Sequence, residues 1–130
     1  MKLEHIGIAV KSIEQHLKVW CDIFGFSVEM TTEVAGQEVK VSMLDVGGVK
    51  VELIEPLTPD STIQRFIEKR GEGLHHLCFE VNDLEKTIEE FQERGVRMID
   101  EVPRKGAGDS KIAFVHPKDM GGVLIELCQK

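Results

Sequence analysis

The chain has 130 residues, 42% of them apolar and 30% charged, with a net charge of −7. That size fits one compact domain with a sizeable core, and the negative balance argues against nucleic acid or an anionic membrane surface as the main partner. No run approaches the roughly 18 apolar residues of a membrane span.

The N-terminus, "MKLEHIGIAV", enters a strand-like alternation almost at once, and no signal-peptide pattern precedes it. Ser12 is placed to cap a helix, with Gln15 three residues on as in a capping box. Ile13, Leu17, Trp20 and Phe24 follow at helical spacing, and Gly25 ends the helix. Strands are predicted near 26–33, 37–46 and 49–56. The connector, about 57–73, holds a short helix capped by Asp60 or Ser61 and closed by Gly71. A second strand–helix pair then begins, with Asp83 as cap, a Leu84, Ile88, Phe91 stripe and Gly95 as stop. Strands are predicted near 96–102, 111–116 and 122–129, and "PRKGAGDSK" (103–111) is a glycine-containing loop. Cys21, Cys78 and Cys128 form no CxxC pair and leave an odd thiol, which suggests a reduced, cytoplasmic setting.

The chain repeats itself. "LEHIGIAVKSIE" (3–14) lies over "LHHLCFEVNDLE" (74–85), matching Leu3, His5, Val10 and Glu14 to Leu74, His76, Val81 and Glu85. "GGVKVEL" (47–53) recurs as "GGVLIEL" (121–127), with five of seven positions identical. Each half therefore reads β-α-β-β-β. The expected fold class is α+β: two tandem modules related by a pseudo-two-fold, with mixed sheets curled around a metal-binding cleft. Module 1 covers about 1–57, the connector 58–73 and module 2 about 74–130, all within a single domain.

Packing accounts for repeated apolar positions but not for His5/His76 or Glu52/Glu126. Strand residues i and i+2 share a face, so His5 lies opposite Ile6, Ile8 and Val10, and Glu52 opposite Val51 and Leu53. His76 and Glu126 repeat this. Both pairs are expected to point away from the apolar residues that meet the helices. Two converging carboxylates repel unless something positive lies between them. Two imidazoles and two carboxylates suit a divalent first-row metal with open positions. His16, His75 and His116 read as structural or solvent-facing, and Cys78 and Cys128 as small hydrophobes rather than ligands.

These residues resemble the vicinal oxygen chelate superfamily and, within it, the methylmalonyl-CoA epimerases over essentially the full chain. The motifs are "HIGIAV" (5–10), "VELIEPL" (51–57), "GEGLHHLCFEV" (71–81) and "HPKDMGGVLIEL" (116–127). The resemblance implies His5, Glu52, His76 and Glu126 as ligands of one divalent ion, cobalt first, with manganese, nickel or zinc as alternatives. Some family members have Gln at the place of Glu52. One subgroup carries a further acid in the strand before "VEL"; Val41 stands there in this chain, with Glu38 three positions earlier.

The implied reaction is isomerisation: interconversion of (R)- and (S)-methylmalonyl-CoA by proton removal and return at C2 through an enolate. Inversion requires two proton carriers or one that moves. Glu126 is the first choice and Glu52, its repeat mate, the second. Arg104, Lys105, Lys111 and Lys118 lie in loops near the last strands and could meet an anionic acyl-CoA. A homodimer is the family habit. Two alternatives share the scaffold. A glyoxalase I-type lactoylglutathione lyase would act on a glutathione hemithioacetal, but no glutathione-matched Arg is evident in the first helix. A metal-free small-molecule-binding module would not need the four intact ligands.

Overall fold

Residues 1–130 are described by a computed structural model. The first module runs β1 (Lys2–Ala9), α1 (Ile13–Leu17), β2 (Val28–Val34), β3 (Val39–Asp45) and β4 (Lys50–Pro56). Helix α2 (Thr62–Arg70) follows. The second module runs β5 (Gly73–Glu80), α3 (Leu84–Glu93), β6 (Arg104–Lys105), β7 (Lys111–Val115) and β8 (Ile125–Gln129). Both have the predicted β-α-β-β-β order in a mixed sheet. The strands lie in the order β2-β3-β4-β1 in the first and β5-β8-β7-β6 in the second. In each module the first and last strands pair in parallel and the rest antiparallel. No helix is long and apolar enough to cross a membrane.

The chain forms two units, His5–His75 and Met1–Glu4 with His76–Lys130. Two ion pairs tie the first residues to the second unit: Lys2 to Glu80 at 3.8 Å and Glu4 to Lys130 at 3.0 Å.

Local chemistry sets the helix ends. Ser12 Oγ accepts from the Gln15 N–H, Ser61 Oγ from Ile63 N–H and the Asp83 carboxylate from Lys86 N–H. The first helix is not α-helical throughout: it widens into a π-helical segment over Lys18–Ile23 before Gly25 turns the chain at φ 82°. The strand predicted over 96–102 does not form as such. Pro103 cannot donate to a ladder, and Asp100 spends its carboxylate on the Phe114 N–H, so only a bridge at Met98 and the two-residue β6 remain.

In the His5–His75 unit, one sheet face packs Val10, Leu44, Val51 and Leu53 against Ile13, Leu17 and Trp20 of the first helix. The other face packs Ala9, Val39, Val41 and Ile54 under Ile63 and Ile67 of α2. In the second unit, Val81, Ala113, Val115 and Leu127 meet Leu84 and Ile88 of α3. The opposite face carries Cys78, Ile112 and Cys128 with Phe114 against them. Leu53 and Leu127, the repeated leucines, are fully buried. Truncating either to Ala costs about 2–5 kcal/mol.

Candidate metal and proton-transfer residues

The parallel pairing of β1 with β4 sets Gly7 beside Glu52 and His5 beside Lys50. His5, Gly7 and Glu52 share one face, and Gly7 adds no side chain to it. The His5 imidazole Nε2 lies 3.7 Å from Glu52 Oε2, with the side chains 7% and 15% exposed. The pair points away from the apolar residues that meet the first helix, as expected, but its own face meets a second helix. Val39, Val41 and Ile54 alternate onto it, and α2 closes over them. Ile54 is two residues after Glu52 and necessarily shares its side, so the pair sits at the end of an apolar layer.

In the second unit, parallel pairing sets Cys78 beside Glu126, and antiparallel pairing sets Phe114 on its other side. His76, two residues before Cys78, stands edge-on to the Phe114 ring at 6.0 Å. The Arg104 guanidinium lies 5.2 Å over the same ring, a cation–π contact, and its Nε is 3.4 Å from Asp100 Oδ2. Both His76 and Glu126 are buried. Burial pushes the Glu126 carboxyl up to about 7. A hydrogen bond from the Cys78 thiol opposes that rise, the Glu4 carboxylate adds to it, and Arg104 opposes it. The Cys78 thiol is driven upward by its contacts with Cys128 and Glu126 and by burial.

The remaining histidines have other work. His75 packs edge-on to Phe66 at 4.8 Å, and burial lowers its pKa to about 4. His16 Nε2 is 3.0 Å from Glu72 Oε2. His116 Nδ1 accepts from the Lys118 N–H and caps a short 3-10 turn, Pro117–Asp119. Of the predicted basic residues, Lys111 is held by Glu85 at 2.9 Å, while Lys105 and Lys118 are exposed. The Glu38 backbone is left-handed at φ 56° and its carboxylate accepts from the Thr58 hydroxyl at 2.8 Å. Val41 is buried within the apolar layer.

Two features escaped the sequence reading. Glu4 is a nearly buried carboxylate, its side chain 9% exposed, paired with Lys130. The second is the set of groups flanking Glu126. The signal for it was present, since the repeat breaks there: Gly7 and Ile54 in the first copy become Cys78 and Cys128 in the second.

The donor chemistry fits a divalent ion. In one unit the His5 imidazole and Glu52 carboxylate lie together, and in the other His76 and Glu126 are buried; each is a ligand type that such an ion accepts. Glu126 is a buried carboxylate with a raised pKa, which a nearby cation would reverse.

The model of the Glyoxalase/Bleomycin resistance protein/Dioxygenase superfamily matches residues 4–114. Human mitochondrial methylmalonyl-CoA epimerase is 34% identical over 129 residues, 98% of this chain and 73% of that protein. This chain belongs to the methylmalonyl-CoA epimerase family. A single-residue variant of the Streptomyces coelicolor methylmalonyl-CoA epimerase, solved in complex with 2-nitronate-propionyl-CoA, superimposes with a TM-score of 0.94 at 34% identity, covering 100% of this chain and 94% of that one. The uncharacterized protein YqjC of Bacillus subtilis is 43% identical over 128 residues, 98% of this chain and 91% of its own length.

Proposed function

We propose that this chain is a methylmalonyl-CoA epimerase that interconverts the (R)- and (S)-thioesters, and that all 130 residues work as one vicinal oxygen chelate domain. The observation that carries the reading is full-length family membership, with a His/Glu pair at equivalent places in both modules. His5, Glu52, His76 and Glu126 are the proposed ligands of one divalent ion, cobalt before manganese, nickel or zinc. When bound, that ion supplies charge stabilisation to a substrate developing negative charge.

The protein's own residues move the proton. C2 of the substrate lies between a thioester and a carboxylate, so its proton is removable by a base of moderate strength. Glu126 is suited to this task. Burial alone raises the carboxyl to about 7, and a bound cation would bring it down again, leaving a buried carboxylate ready to take a proton. Inversion requires return on the opposite face of C2, and Glu52 is the proposed second carrier. The place of the further acid known in one subgroup is the buried, apolar Val41, which carries no proton, and the Glu38 carboxylate accepts from the Thr58 hydroxyl.

Arg104 is the strongest of the proposed acyl-CoA contacts, because its guanidinium is stacked in place over Phe114. Lys105 and Lys118 are exposed and available to phosphates, whereas Lys111 must first leave Glu85. A cytoplasmic homodimer completes the reading. The decisive experiment incubates one methylmalonyl-CoA stereoisomer with the protein and each candidate metal in turn. The expected result is approach to an equal mixture of epimers. No epimerisation with any metal would overturn the assignment.

A further inference from the structure

We propose that Cys78 is a positioning residue for Glu126, holding one carboxylate oxygen through its thiol proton so that the other oxygen is presented in a fixed direction. The proposal rests on the reading of Glu126 as a proton carrier.

The geometry comes from the sheet register. Cys78 and Glu126 are directly paired across β5 and β8, and both side chains point to the face that also carries His76 and Phe114. Cys78 is fully buried and Glu126 is 8% exposed, so water does not compete strongly for the contact. The Cys78 thiol therefore lies beside the Glu126 carboxylate, and Cys128 packs in the same buried cluster. A thiol has one proton. With that proton donated to the carboxylate, the Cys128 thiol is left to donate to Cys78 Sγ. The result is a short chain, Cys128 to Cys78 to Glu126, with one direction.

The repeat supplies an internal control. The residue paired with Glu52 in the first module is Gly7, which has no side chain, and the position two after Glu52 is Ile54, which has no donor. The two thiols are therefore added only beside one of the two carboxylates. A packing role alone is the ordinary fate of a buried cysteine. It predicts that any small side chain would serve, and the proton donor would not matter.

The test separates these roles. In infrared spectra the Cys78 S–H stretch is assigned by its loss in Cys78→Ala. In Glu126→Gln that band should move to higher frequency, because a neutral amide oxygen accepts less strongly than a carboxylate. In epimerisation assays, Cys78→Ala should lower kcat by about ten- to a hundredfold, the range for a lost hydrogen bond to a charged group. KM and metal affinity should stay within about threefold of wild type, and Cys78→Ser, which keeps a donor, should restore kcat to within about threefold. The proposal is overturned by an unmoved S–H band, by an Ala variant with wild-type kcat, or by a Ser variant as impaired as Ala. Should the wild-type protein not epimerise the thioester, the functional reading fails while the band still decides the Cys78–Glu126 contact.

Discussion

Glu126→Gln should make the metal-free protein more stable at alkaline pH while removing its activity. Burial holds the Glu126 carboxyl at about 7 in the folded chain, against an ordinary value of 4.5. The folded state therefore binds more protons than the unfolded state between those two values. Below pH 4.5 the group is neutral in both states and costs nothing. As pH rises to 7, stability is lost, and above 7 the full penalty applies. Its size is about 3 kcal/mol at 1.36 kcal/mol per pH unit. Gln occupies nearly the same volume without the charge. For a chain of this length the difference amounts to roughly ten degrees in melting midpoint. The assay is thermal unfolding of chelator-treated wild type and variant across pH 4.5–8.5. His75 titrates in the same window, but it is common to both proteins and drops out of the difference. The variant's advantage should vanish near the acid end and grow to its full value above neutrality. An advantage independent of pH, or none at all, would refute the account of Glu126 as a buried ionisable group.

Chelation should lower the melting midpoint and metal should restore it, since a ligand at a thousand times its dissociation constant stabilises by about 4 kcal/mol. His76→Ala should abolish that response and His75→Ala should keep it; the reverse ranking, read by calorimetric metal titration, would mean that the functional face has been misassigned. In D₂O, product epimer should gain deuterium at C2. Glu52→Gln should slow inversion by at least about a hundredfold while solvent exchange of the starting isomer persists, as followed by NMR. Equal retention of both would remove Glu52 from the proton path. Gly106→Ala should cost about 1–3 kcal/mol in chemical denaturation, because a Cβ there would lie 2.6 Å from both Ile112 Cγ2 and Ser110 Oγ; an unchanged midpoint would show that the 103–111 turn can yield.

The repeat made the fold legible. Its period fixed the module order, and the caps at Ser12, Ser61 and Asp83 marked the helix starts. Strand parity put His5 with Glu52, and the two are in contact. Three things were not legible. The π-helical turn over Lys18–Ile23 keeps nearly the same apolar spacing as an α-helix, so periodicity does not reveal it. The segment 96–102 has strand-like composition, but Asp100 takes the ladder donor of Phe114 through its side chain, and composition does not register that competition. The partnership of Glu4 with Lys130 joins residues at opposite ends of the chain, beyond the reach of any local pattern.

The face that carries the His/Glu pair is built differently in the two modules. Each module needs an apolar layer beneath its polar residues, because an imidazole and a carboxylate cannot hold a sheet face by themselves. The first module builds that layer from Val39, Val41 and Ile54 and seals it with α2. An acid at position 41 would enter this layer, so the apolar seal and a third carboxylate compete for one place. The second module fills the corresponding face with Cys78, Cys128, Ile112 and Phe114, among which polarisable groups touch Glu126. Glu52 has the His5 imidazole beside it above an aliphatic layer, whereas Glu126 is flanked by the Cys78 and Phe114 positions and feels the Arg104 guanidinium. The two residues at equivalent places of the repeat therefore meet different fields. For the two carriers proposed above, unequal surroundings suit opposite protonation states, one carboxylate placed to take a proton from C2 while the other gives one.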